Sequence, residues 1–225
     1  EVALGMSGAP GHQAKTLNRD GSMRLAPRSS YGKFPTMGGF DQMTARIGGF
    51  WDSMLGEGRL WRITANSDSH VNWREGGSDF WPGEYSKTYV WAHRNHDDVM
   101  DGIREGRIFV TLGDLISELH VTAQSGDTAV DIGGELHVQE GDDVEVTIRF
   151  LDPVGLNWAG QDPAVHRVDL IAGQVTGPAA DRSIDTNPTT RVLARFSPQQ
   201  WRSAGSYQVM SYRMNAVAHS SYLRI

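Results

Sequence analysis

The sequence predicts an α/β region over residues 1–117 followed by an all-β region over residues 118–225, the latter an antiparallel β-sandwich. Two observations carry this. The first part alternates helical and strand signals and holds five of the seven tryptophans, whereas the second is a succession of short strands separated by turns such as Gly133-Gly134 and Gly141-Asp142. Strands spaced so evenly, with one face apolar, pack as two facing sheets.

In the first part, Met43, Ile47, Phe50, Trp51, Met54 and Leu55 recur at helical spacing behind a candidate N-cap at Asp41, with Gly48-Gly49 interrupting the run. Arg59 to Ala65 reads as a strand, and the polar stretch Asn66-Ser67-Asp68-Ser69-His70 follows it directly. Asn95 can cap a helix whose first turn carries Asp97 and Asp98 beside the positive end of the dipole and whose stop is Gly106. Ile108 to Thr111 is a short strand. Strand, loop, helix, strand is the grammar of an α/β layer. In the second part, Val144 to Phe150 alternates apolar and polar without a fault, and weaker strands fall near 118–123, 128–132, 165–172, 190–196, 206–214 and 220–225.

Composition narrows the chemistry. The 225 residues carry a net charge of −6 and no dense Lys/Arg run, which argues against nucleic acid as a partner. No apolar stretch approaches the roughly 18 residues of a membrane span. The absence of cysteine excludes disulfides, thiolate metal sites and a cysteine nucleophile, but leaves the compartment open between the cytoplasm and a bacterial periplasmic or secreted location. The chain opens on Glu1 with residues that look like the inside of a fold, which points to a piece of something longer.

Asp68-Ser69-His70 is the first candidate site. Residues two apart in an extended segment point the same way, so a carboxylate and an imidazole can converge on one divalent ion just beyond a strand, where α/β enzymes gather their reacting groups. The same spacing also suits a polar turn in which Asn66 and Asp68 satisfy local backbone donors. The second candidate is Gly8-Ala9-Pro10-Gly11-His12-Gln13, where small and rigid residues shape a tight backbone ahead of an accessible imidazole; taken by itself it reads first as a loop with an incidental surface histidine.

These two segments, with Ser86-Lys87-Thr88-Tyr89-Val90 and Gly102 to Asp114, resemble the carboxyl-terminal half of a PHP (polymerase and histidinol phosphatase) domain, most of all the branch that includes the carbaryl hydrolases. The resemblance covers residues 1–117 and extends to the trailing β-domain. It implies the carboxyl-terminal portion of a distorted (β/α)7 barrel, and a catalytic metal site in which His12, Asp68 and His70 are ligands. Zinc or manganese is the implied ion, with iron next, and the implied reaction is hydrolysis of a phosphoester, carboxylic ester or carbamate in a small-molecule substrate by water that the metal acidifies. The family's opening His-x-His does not occur here, and Ser7 stands where many relatives have an acidic residue. The resemblance therefore implies that the rest of the site comes from a missing or separate amino-terminal fragment, or that the chain self-associates.

Other residues carry weaker signals. Trp73, Trp81, Tyr85 and Trp91 suit either an apolar substrate pocket or a local core. Arg74 and Lys15 suit an anionic leaving group or a solvated surface. His93 and His96 belong at a helix entry, and His120, His137, His166 and His219 in the β-rich part are structural or solvent-facing. No Gly-x-Ser-x-Gly elbow supports a serine hydrolase. The rival to an enzyme is a noncatalytic carbohydrate- or protein-binding module that uses the tryptophan-rich loops and the β-domain around a relic metal site.

Overall fold

The computed structural model describes residues 3–11, 36–67, 69 and 81–225. Strand β1 (Gly5–Pro10) pairs in parallel with β2 (Arg62–Asn66), and the helices α1 (Gln42–Ala45) and α2 (Phe50–Gly56) lie between them in the chain. The single helical run expected from Met43 to Leu55 is broken where Gly48-Gly49 predicted. Asp41 caps α1 by accepting from the Met43 N–H at 2.7 Å, and the Trp51 indole of α2 donates to Trp61 O, just ahead of β2, at 3.0 Å.

Strands β3 (Ser86–Val90) and β4 (Ile108–Leu112) flank α3 (His96–Glu105). Asn95 caps α3 as expected, its Oδ1 accepting from the Asp98 N–H at 2.9 Å. The carboxyl end of α3 is closed from another element: the Arg62 guanidinium, on β2, donates to Glu105 O at 2.7 Å and Arg104 O at 3.3 Å, placing a cation on the negative end of the dipole.

Among the described residues no barrel forms, and this corrects the expected carboxyl-terminal portion of a distorted (β/α)7 barrel. The sheets are open, and the strand–helix–strand unit β3–α3–β4 pairs antiparallel, with Val90 opposite Ile108 and Ser86 opposite Leu112. A parallel crossover would have to carry the chain back along the strand before β4 begins. Instead Gly106, in the left-handed conformation at φ 79°, ends α3 and turns the chain back beside its own entry. The Trp91 N–H then donates to Arg107 O at 2.8 Å, and Arg107 Nη1 to Trp91 O at 2.7 Å, which closes the unit as a hairpin with a helix for a tip. Closure also needs backbone ladders on both edges of each strand. Toward β3, the edge of β2 is met by side chains: Thr88 Oγ1 accepts from the Ala65 N–H at 2.8 Å and lies 3.3 Å from Ala65 O.

The remaining residues form two open antiparallel sheets. Strands β5 (Glu118–Ser125), β6 (Thr128–Asp131), β7 (Val144–Leu151), β10 (Arg202–Ala204) and β11 (Tyr207–Met214) give the order β10-β11-β7-β5-β6; β8 (Val168–Gln174), β9 (Arg191–Phe196) and β12 (Ser221–Arg224) give β12-β8-β9. One core joins the two sheets. Val144, Val146, Ile148 and Phe150 are buried on the inner face of β7, while Glu145 is exposed and Thr147 and Arg149 half-buried between them. Val168 and Leu170 on β8, Phe196 and Met210 complete it.

A buried ion pair joins the first region to the second. Asp52 on α2 takes Arg224 Nε and Nη2 on its two carboxylate oxygens, both at 2.7 Å, and accepts also from the Gly48 N–H at 2.6 Å and the Tyr222 hydroxyl at 3.1 Å. The guanidinium lies 4.9 Å from the centre of the Trp51 ring. Burial, the first cause, pushes the Tyr222 phenol from 10.0 up to about 12. Among the described residues no helix is long and apolar enough to cross a membrane.

Candidate functional site

Parallel pairing brings the carboxyl ends of β1 and β2 to the same edge of the sheet. The register runs Gly5 opposite Arg62 to Pro10 opposite Asn66, with an irregularity between Ser7 and Ala9. Beyond the last pair the backbones touch: a Cβ on Gly11 would lie 1.9 Å from Ser67 O, so only glycine fits there. Asn66 Nδ2 donates to Ser7 Oγ at 2.7 Å and ties the strands across their ends.

Ser86, the first residue of β3, completes the edge. Its buried hydroxyl lies 3.2 Å from Ala9 O and 3.0 Å from Asn66 O, and its one proton is shared between the carbonyls of two strands. Next to it, Tyr85 is fully buried with its hydroxyl donated to Gly39 O at 2.7 Å, so this ring is core and not pocket lining. On β3 two residues further from Tyr85, Lys87 donates to the carboxylate of Asp114. Asp114 follows Gly113 in a turn where both have φ 59°, a backbone that aspartate tolerates better than most residues.

The three predicted metal ligands, His12, Asp68 and His70, lie outside the described residues, as do Lys15, Trp73 and Arg74. Their described neighbours are Gly11 and Ser67, which abut, and Ser69, whose N–H donates to Ser67 Oγ at 3.3 Å. Among the described residues no group of three or more His, Asp or Glu side chains could share a metal ion. Trp81 is exposed; His93 and His96 stand at the entry to α3, where the His93 N–H donates to Asp98. That bond, the first cause, and the Arg107 guanidinium hold the Asp98 carboxyl below the usual range. His137, His166 and His219 are exposed.

His120 belongs to a cluster that the sequence did not announce. Its ring lies 4.6 Å from that of Trp91 and 6.0 Å from Tyr207, Arg149 stands 4.4 Å over the Tyr207 ring, and Tyr207 donates to Glu118 Oε2 at 2.6 Å. That hydrogen bond leads the causes that lower the Glu118 carboxyl and raise the Tyr207 phenol. Trp91 Nε1 also donates to Leu119 O at 3.2 Å, so the cluster seals the loop after β3 against the five-stranded sheet. Ser86, and the pair Lys87 and Asp114, were missed as site residues because the packing of β3 against the ends of β1 and β2 places the first and the β3–β4 pairing the others, and no local spacing encodes either. No family model, no curated protein and no solved structure matches the chain.

Proposed function

We propose that the chain supplies His12, Asp68 and His70 as ligands to a divalent metal and acts as a metal-dependent hydrolase of the PHP type on a phosphoester or a carboxylic ester or carbamate. One observation supports this reading above the others. The parallel strands β1 and β2 end side by side, with Gly11 against Ser67, so the segments that carry the three residues leave the sheet from one point. Ligand sites of open α/β sheets lie in the crevice beyond the carboxyl ends of their strands, so such a site does not require a closed barrel.

The donor set fits zinc or manganese, since two imidazoles and a carboxylate suit those ions better than magnesium. A divalent ion bound there would supply Lewis acidity and draw the pKa of water toward neutrality. The chain's own part is positioning: Ser86 holds the ends of β1 and β2 together, and Gly11 permits their contact. An amino-terminal fragment of the same protein, or a second copy, is the proposed source of the remaining ligands.

The test is elemental analysis of the wild-type chain and of His12→Ala, Asp68→Ala and His70→Ala, with thermal melts and with zinc- or manganese-supplemented turnover of nitrophenyl phosphate, nitrophenyl acetate and a naphthyl carbamate. The expected result is loss of bound metal and of turnover with melting unchanged. Full metal and turnover in His70→Ala overturn the assignment, and unfolding of that variant shows His70 to be structural. The rival reading, a noncatalytic binding module, draws on the aromatic cluster of Trp91, His120 and Tyr207; metal retention without turnover of any of the three probes favours it.

A further inference from the structure

The outer face of the five-stranded sheet carries a rank of basic side chains. His120 on β5 lies opposite Arg149 on β7, Arg149 opposite Val209 on β11, and Val209 opposite Arg202 on β10. Residues opposite one another in an antiparallel sheet point to one face, and here it is the face away from the core, because Ile148 and Phe150 on either side of Arg149 are buried. Two guanidinium groups and an imidazole thus share a rank that holds no carboxylate. All of them reach solvent: Arg202 is exposed, Arg149 half-buried and the His120 side chain 29% exposed.

Arg149 is held in place without being satisfied. Its guanidinium lies 4.4 Å from the centre of the Tyr207 ring, and that ring is pinned by its hydroxyl on Glu118 Oε2 at 2.6 Å. Stacking fixes the plane of the fork and uses none of its N–H groups. Among the described residues neither the Arg149 nor the Arg202 guanidinium makes a hydrogen bond or an ion pair, whereas Arg195, Arg213 and Arg224 each meet a carboxylate. Glu118, the carboxylate of the cluster, spends Oε2 on Tyr207 and lies 3.4 Å from His120 Nε2. A planar guanidinium set in advance takes both oxygens of a carboxylate or phosphate at once.

An aromatic wall adjoins this fork. Trp91 is 36% exposed, and its indole is kept in place by Nε1 on Leu119 O at 3.2 Å and by the His120 ring at 4.6 Å. His120 in turn lies 6.0 Å from Tyr207, so indole and guanidinium flank it within the span of a two-ring ligand. We propose that this face binds a small aromatic oxyanion, its carboxylate or phosphate on the Arg149 fork, with Arg202 as the second positive charge and its ring against Trp91. His12, Asp68 and His70 take no part in it, so the proposal stands or falls apart from the hydrolase reading.

NMR titrations of the isotope-labelled full chain with naphthoate, naphthyl phosphate, naphthol and inorganic phosphate test it. The two aromatic anions are expected to give saturable shifts at the Arg149 Nε–H, the Trp91 indole N–H and His120, with naphthol and inorganic phosphate both weaker. Either order of the two anions supports the site, and the tighter one names the source of the charge. Arg149→Gln should weaken both about tenfold or more, the worth of a charge-assisted hydrogen bond. Arg149→Lys, which keeps the charge without the fork, should recover only part of that loss. Arg191→Gln, at an exposed arginine of the other sheet, should change nothing, and unshifted resonances of Val168 to Gln174 would confirm the fold of the Arg149 variants. Absence of saturable shifts, naphthol binding as tightly as the anions, full affinity in Arg149→Gln or Arg149→Lys, or equal weakening by Arg191→Gln would overturn the proposal.

Discussion

The two regions of the molecule are held together by different physics. Residues 118–225 rest on backbone ladders and one apolar core, in which Ile148, Val146 and Leu170 are wholly removed from water. The described part of residues 3–117 has only two-stranded sheets, and particular polar groups join them: Ser86 across two carbonyls, Thr88 on both backbone groups of Ala65, Arg62 on the end of α3. A core of interchangeable aliphatics tolerates drift in sequence and offers no chemistry. Strand ends held by hydroxyls leave polar groups in place where reacting groups collect, at the cost of depending on single atoms.

The junction between the regions is the most sensitive point. Asp52→Ala should destabilise the chain by about 3–5 kcal/mol, because Arg224 would be left buried without its counter-charge. Urea unfolding measures it, and a loss below about 1 kcal/mol, the worth of a surface pair, would mean that the two regions do not depend on this contact. Ile148→Ala should cost about 2–5 kcal/mol by opening a cavity in the core and should leave bound metal unchanged in the folded fraction. Parallel loss of metal would show that the second region shapes the strand-end site.

Tyr222 sharpens the comparison through pH. Its pKa is raised to about 12 by burial, above the 10.0 of the unfolded chain. Its contribution is therefore fully present below pH 10.0 and declines as pH rises toward about 12, because the unfolded state ionises first. Urea midpoints across that range should fall more steeply for the wild type than for Tyr222→Phe; equal slopes would place the alkaline sensitivity elsewhere. The smallest effect is expected at Ser86→Ala, about 1 kcal/mol from the lost hydrogen bond. Because it loosens the ends of both β1 and β2, it should also weaken zinc binding, measured by competition with a chelator. Unchanged affinity would confine Ser86 to a structural role.

Periodicity and capping act within a few residues, and those features were legible in the sequence. The alternation of Val144 to Phe150, the Asn95 cap and the break at Gly48-Gly49 all correspond to observed elements. β1 was not legible as a strand, since Gly8-Ala9-Pro10 has the composition of a turn and is extended only because β2 lies beside it. Nor was β10, three residues long and paired with β11 alone. Of the candidate site, the residue types of His12, Asp68 and His70 come from sequence, and the abutting strand ends before them from structure.

By itself, then, the sequence determined most of the strands of the second half, where α3 begins and stops, and the donor chemistry available without cysteine. Tertiary structure alone decided how strands pair. The connection through α3 is compatible with either direction of β4, and the choice fell to Gly106 and to the Trp91 and Arg107 bonds that close it as a hairpin. It likewise decided that Asp52 meets Arg224 and that Lys87 meets Asp114. Local propensity is a sum over neighbours in sequence, whereas these contacts depend on register and packing between elements far apart in the chain.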